Sequence, residues 1–121
     1  MQVRTPVTVR STPPRTLFMG SFPPRECGIA TFTKDVVESF DSVFSTESDV
    51  VAIDEPGIDE RTYSGRVIAR LAQNDRASYR AVARAIDAHE AEVLDVQHEY
   101  GLFGGIDGAW FLDLLEAVEK P

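Results

Sequence analysis

TLFMGSFPPRECGIATFTKDVVESFDSVF, residues 16–44, is the stretch whose reading decides the fold. Leu17 to Phe22 is a short apolar run halted by Pro23-Pro24, and it reads as a strand buried within a sheet. From Gly28 to about Phe44 the pattern changes. Ile29, Phe32, Val36, Val37 and Phe40 recur every three or four residues, which places them on one side of a helix. The rest of the chain repeats this strand-to-helix change. Asp49–Asp54 (DVVAID) is a second strand, rich in β-branched residues and ended by Glu55-Pro56-Gly57, and Arg66–Leu71 (RVIARL) is a shorter third. Asp75 to about His89 is a helix with Tyr79, Val82, Ala83 and Ile86 inward and Arg76, Arg80 and Arg84 along its outer face. Val93–Gln97 (VLDVQ) is the next strand. After a glycine-rich loop, Asp107 opens a last helix, to Glu119, with Trp110, Phe111, Leu114, Leu115 and Val118 on one side. Strands that alternate with helices and are apolar on both faces define an α/β fold with a mostly parallel sheet and flanking helices.

Composition narrows what such a domain can do. The 121 residues suffice for one small domain. No apolar run exceeds four residues (Ala109–Leu112), so no transmembrane segment is expected. A single cysteine, Cys27, excludes an intramolecular disulfide and a Cys-rich metal site. The net charge of −8 argues against nucleic acid and anionic membranes as general partners. Residues 1–25 carry Arg4, Arg10, Arg15 and Arg25 and no acid, so the folded body is more acidic still. Pro6, Pro13 and Pro14 would break the amphipathic helix of an organellar presequence, and the apolar core of a secretory signal is missing. Residues 1–16 are therefore expected to be a flexible basic tail, residues 17–121 the domain, and the location cytoplasmic or peripheral to the inner membrane face.

Ligands of open α/β sheets bind in the loops at the carboxyl ends of the strands. Three such loops stand out. In Phe22–Phe32 the helix starts at Cys27-Gly28, so free N–H groups face the loop and suit a phosphate or sugar hydroxyl. A plain tight turn is the competing reading, because neither a dinucleotide fingerprint nor a P-loop is present. Cys27 is also a candidate nucleophile at a helix N-terminus, with His89 or His98 as its base, against the reading of a small residue in a turn. Asp54-Glu55-Pro56-Gly57 reads as a solvated turn, and Arg76, Arg80 and Arg84 as a charged outer face. The most distinctive loop is Gln97-His98-Glu99-Tyr100-Gly101-Leu102-Phe103-Gly104-Gly105. Imidazole and carboxylate there can bond sugar hydroxyls or move protons, the tyrosine can stack on a sugar, and the glycines admit close approach. A structural His98 bonded to the loop is the alternative. One histidine beside one glutamate is no metal-ligand set.

The segments FPPRECGIATFTKDV (22–36) and LDVQHEYGLFGGIDGAWFLDLLEAVEKP (94–121) closely resemble the start of bacterial family-4 retaining glycosyltransferases, and VVAIDEPG and DRASYRAVARAID follow the same order and spacing. The resemblance implies a Rossmann-like domain, the incomplete N-terminal part of the two-domain GT-B architecture. It implies hexosyl transfer from a nucleotide-sugar, a substrate rather than a cofactor, to a saccharide-type acceptor. By the same resemblance Arg25, Cys27 and Gly28 would line the interdomain cleft. His98 and Glu99 match the family's His-Glu, with His98 facing the transferred sugar or the acceptor, and Tyr100 and Gly101 would shape that pocket. Where the family often has Gly-Gly at the first helix, this chain has Cys27-Gly28. No catalytic base is assigned and no metal is implied. The donor-binding groups of the family lie in a second domain, so the chain is expected to be an N-terminal fragment, inactive alone.

The rival expectation is a non-catalytic α/β binding module. A last helix with no strand after it would then offer Trp110, Phe111 and Leu114 to a completing polypeptide, or to self-association through the exposed sheet edge.

Overall fold

The computed structural model describes residues 12–58 and 61–121; the arginines at 4 and 10 of the basic tail lie outside the described residues. The elements follow one another as β1 (Thr16–Gly20), α1 (Gly28–Phe44), β2 (Val50–Asp54), β3 (Val67–Ala72), α2 (Arg76–Ala88), β4 (Val93–Val96) and α3 (Trp110–Ala117). A 3-10 turn at Ile106–Gly108 precedes α3, so the last helix is shorter than its apolar pattern suggested. Positive φ at Gly105, Asp107 and Gly108 breaks the helix there.

The four strands form one all-parallel sheet in the order β3-β2-β1-β4. The fold is thus α/β and Rossmann-like. Registers Phe18↔Val50 and Met19↔Val96 set β1 at the centre, with its neighbours entered from opposite directions of the chain. Alternation along β1 sends Leu17 and Met19 to one face and Phe18 to the other. The first face packs with Val51, Ile53 and Leu71 under Tyr79, Val82 and Ile86 of α2 and Leu114 of α3. The second packs Phe18, Val50 and Ala52 under Val37 of α1, with Phe40 and Tyr63 at its margin. Among the described residues no helix joins β2 to β3, and Tyr63 of the connection lies on the α1 face instead.

Several expectations about faces are corrected. Phe32, assigned to the inner side of the first helix, is 55% exposed, because Thr33 takes the inward position; its hydroxyl donates to the Ile29 carbonyl and satisfies itself within the helix. Leu115 is 52% exposed. Leu114 is fully buried, and Trp110 and Phe111 pack on the core, so these three are not offered to a partner. The segment after α3 is docked as well. Leu94 N donates to the Pro121 carbonyl at 2.7 Å on the outer edge of β4, and Lys120 Nζ donates to the carbonyls of His89 and Ala91. No helix among the described residues is long and apolar enough to cross a membrane.

Candidate functional site

Because β1 leads through α1 to β2 on one side, while β4 lies on the other, the carboxyl ends of β1 and β4 flank a topological switch point. A parallel sheet opens a crevice at such a point. The two loops singled out in the sequence leave from these two strand ends. Gln97 N donates to the Met19 carbonyl at 2.8 Å, and a side chain at Gly20 would meet Thr33 Oγ1 at 2.9 Å and Gln97 Cβ at 3.1 Å. Gly20 is therefore fixed by close packing of α1 over the β1–β4 seam.

In the first loop Phe22 and Ser21 remain buried, the Pro23–Pro24 peptide is cis, and Arg25 N closes a turn onto the Phe22 carbonyl. Cys27 is the N-cap of α1. Its Sγ accepts from Ala30 N at 3.3 Å and lies 3.5 Å from Ser21 Oγ. Burial pushes the thiol up, but the Ser21 hydroxyl, the Ala30 N–H, the Arg25 charge and the Ile29 N–H outweigh it, and the net pKa falls below 9.0. Gly28 is exposed, with nothing within 4 Å of where a Cβ would sit, so the start of the helix is open. Arg25 does not reach into that opening. It turns to Glu55, 3.0 Å from Nε, and donates from Nη1 to the Ile53 carbonyl.

In the second loop His98 and Glu99 are exposed at the end of β4. The His98 ring stacks on Phe103 at 5.4 Å and 14° and lies 5.3 Å from Phe111. Aromatic contact orients it and leaves the ring nitrogens without a hydrogen-bond partner among the described residues. Tyr100 is 82% exposed and its hydroxyl is 3.4 Å from Asp107 Oδ1. Gly101 has φ +90, a left-handed conformation that glycine adopts without strain, and its carbonyl accepts from Gln73 Nε2 at 2.8 Å.

The structure separates other candidates from the crevice. His89 cannot serve Cys27 as a base. It lies past the end of α2, Nε2 is 2.7 Å from Asp49 Oδ2, and Nδ1 accepts from Ala91 N, so both nitrogens are engaged where β4 begins. Arg76 reaches across to Asp113 of α3 and over the Trp110 ring. A cavity of about 400 Å³ opens where the strands begin, beside His89, Phe44 and Pro14, away from both loops.

Asp54 overturns the expectation of a solvated turn. It is 4% exposed and receives Arg70 Nε at 2.7 Å, Arg61 and the Tyr63 hydroxyl. Glu55 pairs with both Arg61 and Arg25. A carboxylate can be buried only when its charge is compensated; Arg61 and Arg70 do so for Asp54, and Arg25 joins Arg61 at Glu55. Burial pushes the Tyr63 hydroxyl up to about 12 despite Arg61, with Asp54 adding to the rise. The arginines come from residues 25, 61 and 70, a separation with no local signal. Tyr79 was legible as a core residue but not as a polar one: its hydroxyl donates to the Gln73 carbonyl and accepts from Gly104 N, both at 2.8 Å. Among the described residues no group of three His, Cys, Asp or Glu is placed to hold a metal.

The fold is a Rossmann-like α/β domain with the two candidate loops leaving adjacent strand ends at its switch point. Comparison with protein-family models, with curated proteins and with solved structures returned no match.

Proposed function

We propose that this domain is the acceptor-side part of a retaining glycosyltransferase that moves a hexosyl unit from a nucleotide-sugar to a saccharide, in the cytoplasm or at the inner membrane face. The observation that carries the reading is the departure of the Cys27-Gly28 and His98-Glu99-Tyr100-Gly101 loops from adjacent strands at the switch point. Those two loops also carry the sequence resemblance. His98, aligned by Phe103 and Phe111 with its nitrogens unengaged, is suited to a hydroxyl of the transferred sugar or acceptor. The open start of α1 at Gly28 is suited to donor phosphate, since free N–H groups and the helix dipole favour an anion there. Arg25 acts on this loop from behind, by tying it to Ile53 and Glu55. By the resemblance, the rest of donor recognition would belong to a second domain of the intact enzyme.

The test uses the chain alone and fused after Pro121 to the donor-binding domain of a family-4 retaining enzyme. Each is incubated with UDP-glucose or GDP-mannose and pooled oligosaccharides. The expected result is no transfer by the chain alone, transfer with retained configuration by the fusion, and loss of most of that rate in His98→Ala. Transfer by the chain alone at the rate of an intact enzyme would refute the two-domain division. A folded fusion that transfers nothing refutes the glycosyltransferase reading.

A further inference from the structure

Away from the crevice, at the end of the sheet where the strands begin, the cavity of about 400 Å³ is framed by the entries to β1, β2 and β4 and by the ends of α1 and α2. Its walls are of two kinds. The apolar part is Pro13, Pro14, Ala91 and the tilted ring pair Phe40–Phe44, whose centroids lie 4.9 Å apart, with Phe44 46% exposed. The polar part carries four carboxylates, Glu47, Asp49, Glu90 and Glu92, against the single guanidinium of Arg15. His89 adds no charge. Its Nδ1 accepts from Ala91 N, so the ring proton sits on Nε2 and is donated to Asp49 Oδ2 at 2.7 Å. The second Asp49 oxygen accepts no hydrogen bond among the described residues.

The backbone adds to the same sign. Both α1 and α2 end at this cavity, and neither has a basic residue in its last turn. A helix C-terminus carries a partial negative charge that a cation stabilises. The nearby cations are already committed: Arg15 to Glu90, Arg66 to Asp41 and the Ser48 carbonyl, and Lys120 to the carbonyls of His89 and Ala91. An anion would meet four carboxylates here. A bare divalent cation does not suit either, because among the described residues no three His, Cys, Asp or Glu converge to hold one. What fits is an ammonium group on a compact apolar body. The volume lies in the ~300–1,000 Å³ range of small-molecule sites, and the Phe44 ring offers a face for cation–π contact. We infer that this cavity binds a small organic cation, a primary amine on one aromatic or aliphatic group. Asp49 and Glu47 take the ammonium, and Phe40 and Phe44 take the apolar part. The cavity lies at the opposite end of the sheet from the two candidate loops, so it is independent of the glycosyltransferase reading.

The probe is 2-phenylethylamine, compared at pH 7 with its neutral counterpart 2-phenylethanol, with phenylacetate and with magnesium chloride. Each is titrated into the ¹⁵N-labelled full chain. With the amine, saturable shifts are expected at residues 15–16, 44–49 and 89–92. The alcohol should bind about fivefold more weakly or worse, and phenylacetate should not saturate. Glu47→Gln and Asp49→Asn should each weaken the amine about threefold or more, and Phe44→Ala should weaken it as well. Asp49→Asn also alters the His89 contact, whereas Glu47 is exposed, so Glu47→Gln reads the charge without disturbing the fold; a cooperative melt checks each variant. The absence of saturable shifts with the amine overturns the inference. Equal affinity for amine and alcohol does so too, since the cavity would then be an apolar hole without a preference for charge. Displacement of the amine by magnesium, unchanged binding in both carboxylate variants, or shifts confined to residues outside the cavity would each overturn it.

Discussion

Cys27 holds its sulfur at the point where a helix begins, a buried hydroxyl approaches and a guanidinium lies near. Desolvation opposes ionisation there, and the hydrogen bonds from Ser21 and Ala30 with the charge of Arg25 reverse it. The thiol is half-buried and still reachable. The rate of alkylation by iodoacetamide, followed against pH, is expected to inflect below 9.0, and Ser21→Ala should return the inflection toward 9.0 because it removes the strongest of the lowering contacts. An inflection at 9.0 or higher in the wild-type chain would contradict the geometry. The stability effect has a defined sign. A depressed folded-state pKa stabilises the fold above pH 9.0, and that contribution is lost as the pH falls through the folded value. Capping of α1 by the sulfur, through the Ala30 N–H, adds a contact of its own.

Among the elements, α2 does the most to shape the rim, through one atom. Tyr79→Phe keeps the ring packed against Phe103 and Trp110 but strands the buried Gly104 N–H and a Gln73 carbonyl lone pair. The expected cost is about 2 kcal/mol by urea denaturation, with faster amide exchange at Gly104. A loss below a few tenths of a kcal/mol would mean that the loop is held without this bridge. This atom also marks the limit of what could be read in advance. The spacing of Tyr79, Val82, Ala83 and Ile86 foretold their burial, because helix periodicity is local. The apolar runs at Leu17–Met19 and Val50–Ile53 foretold central strands for the same reason. Where Tyr79 sends its hydroxyl depends on a loop 25 residues later, and the burial of Asp54 depends on Arg61 from the β2–β3 connection and Arg70 from β3, 7 and 16 residues further on. Phe32 was misplaced because periodicity cannot tell which of two adjacent helical positions, Phe32 or Thr33, meets the sheet. Of the candidate site, Cys27, Gly28, His98 and Tyr100 could be located by loop and strand end, whereas Arg25 proved to be a brace, because its partners Ile53 and Glu55 lie 28 and 30 residues away.

At the scale of the whole molecule, the β2–β3 pair must be held without a covering helix between its strands, and charge clusters at both ends do this. At the carboxyl end Asp54 and Glu55 gather Arg25, Arg61 and Arg70, which joins the β1–α1 loop to both strands and so supports the crevice. At the amino end Asp41 of α1 accepts from Thr46 Oγ1, Ser48 N, Ser48 Oγ and Arg66 Nη1, which ties the end of α1 to the approach to β3. Burial raises the Asp41 pKa, but the two Ser48 bonds, the Thr46 bond and Arg66 exceed it, and the carboxyl ends below 3.8. The folded pKa is therefore lower than the unfolded one. The resulting stabilisation is complete above about pH 3.8 and is lost as the pH falls from there through the folded value. Asp41→Asn is expected to lower stability by about 2 kcal/mol at pH 7, since a carboxylate that accepts four bonds is replaced by an amide with one acceptor oxygen. In melts from pH 7 to pH 2.5, the gap between wild type and variant should stay constant down to about pH 4 and then narrow, because protonation takes from the wild type what the substitution has already removed. A gap that begins to close near pH 6 would mean that protonation of Asp41 is not what separates the two proteins.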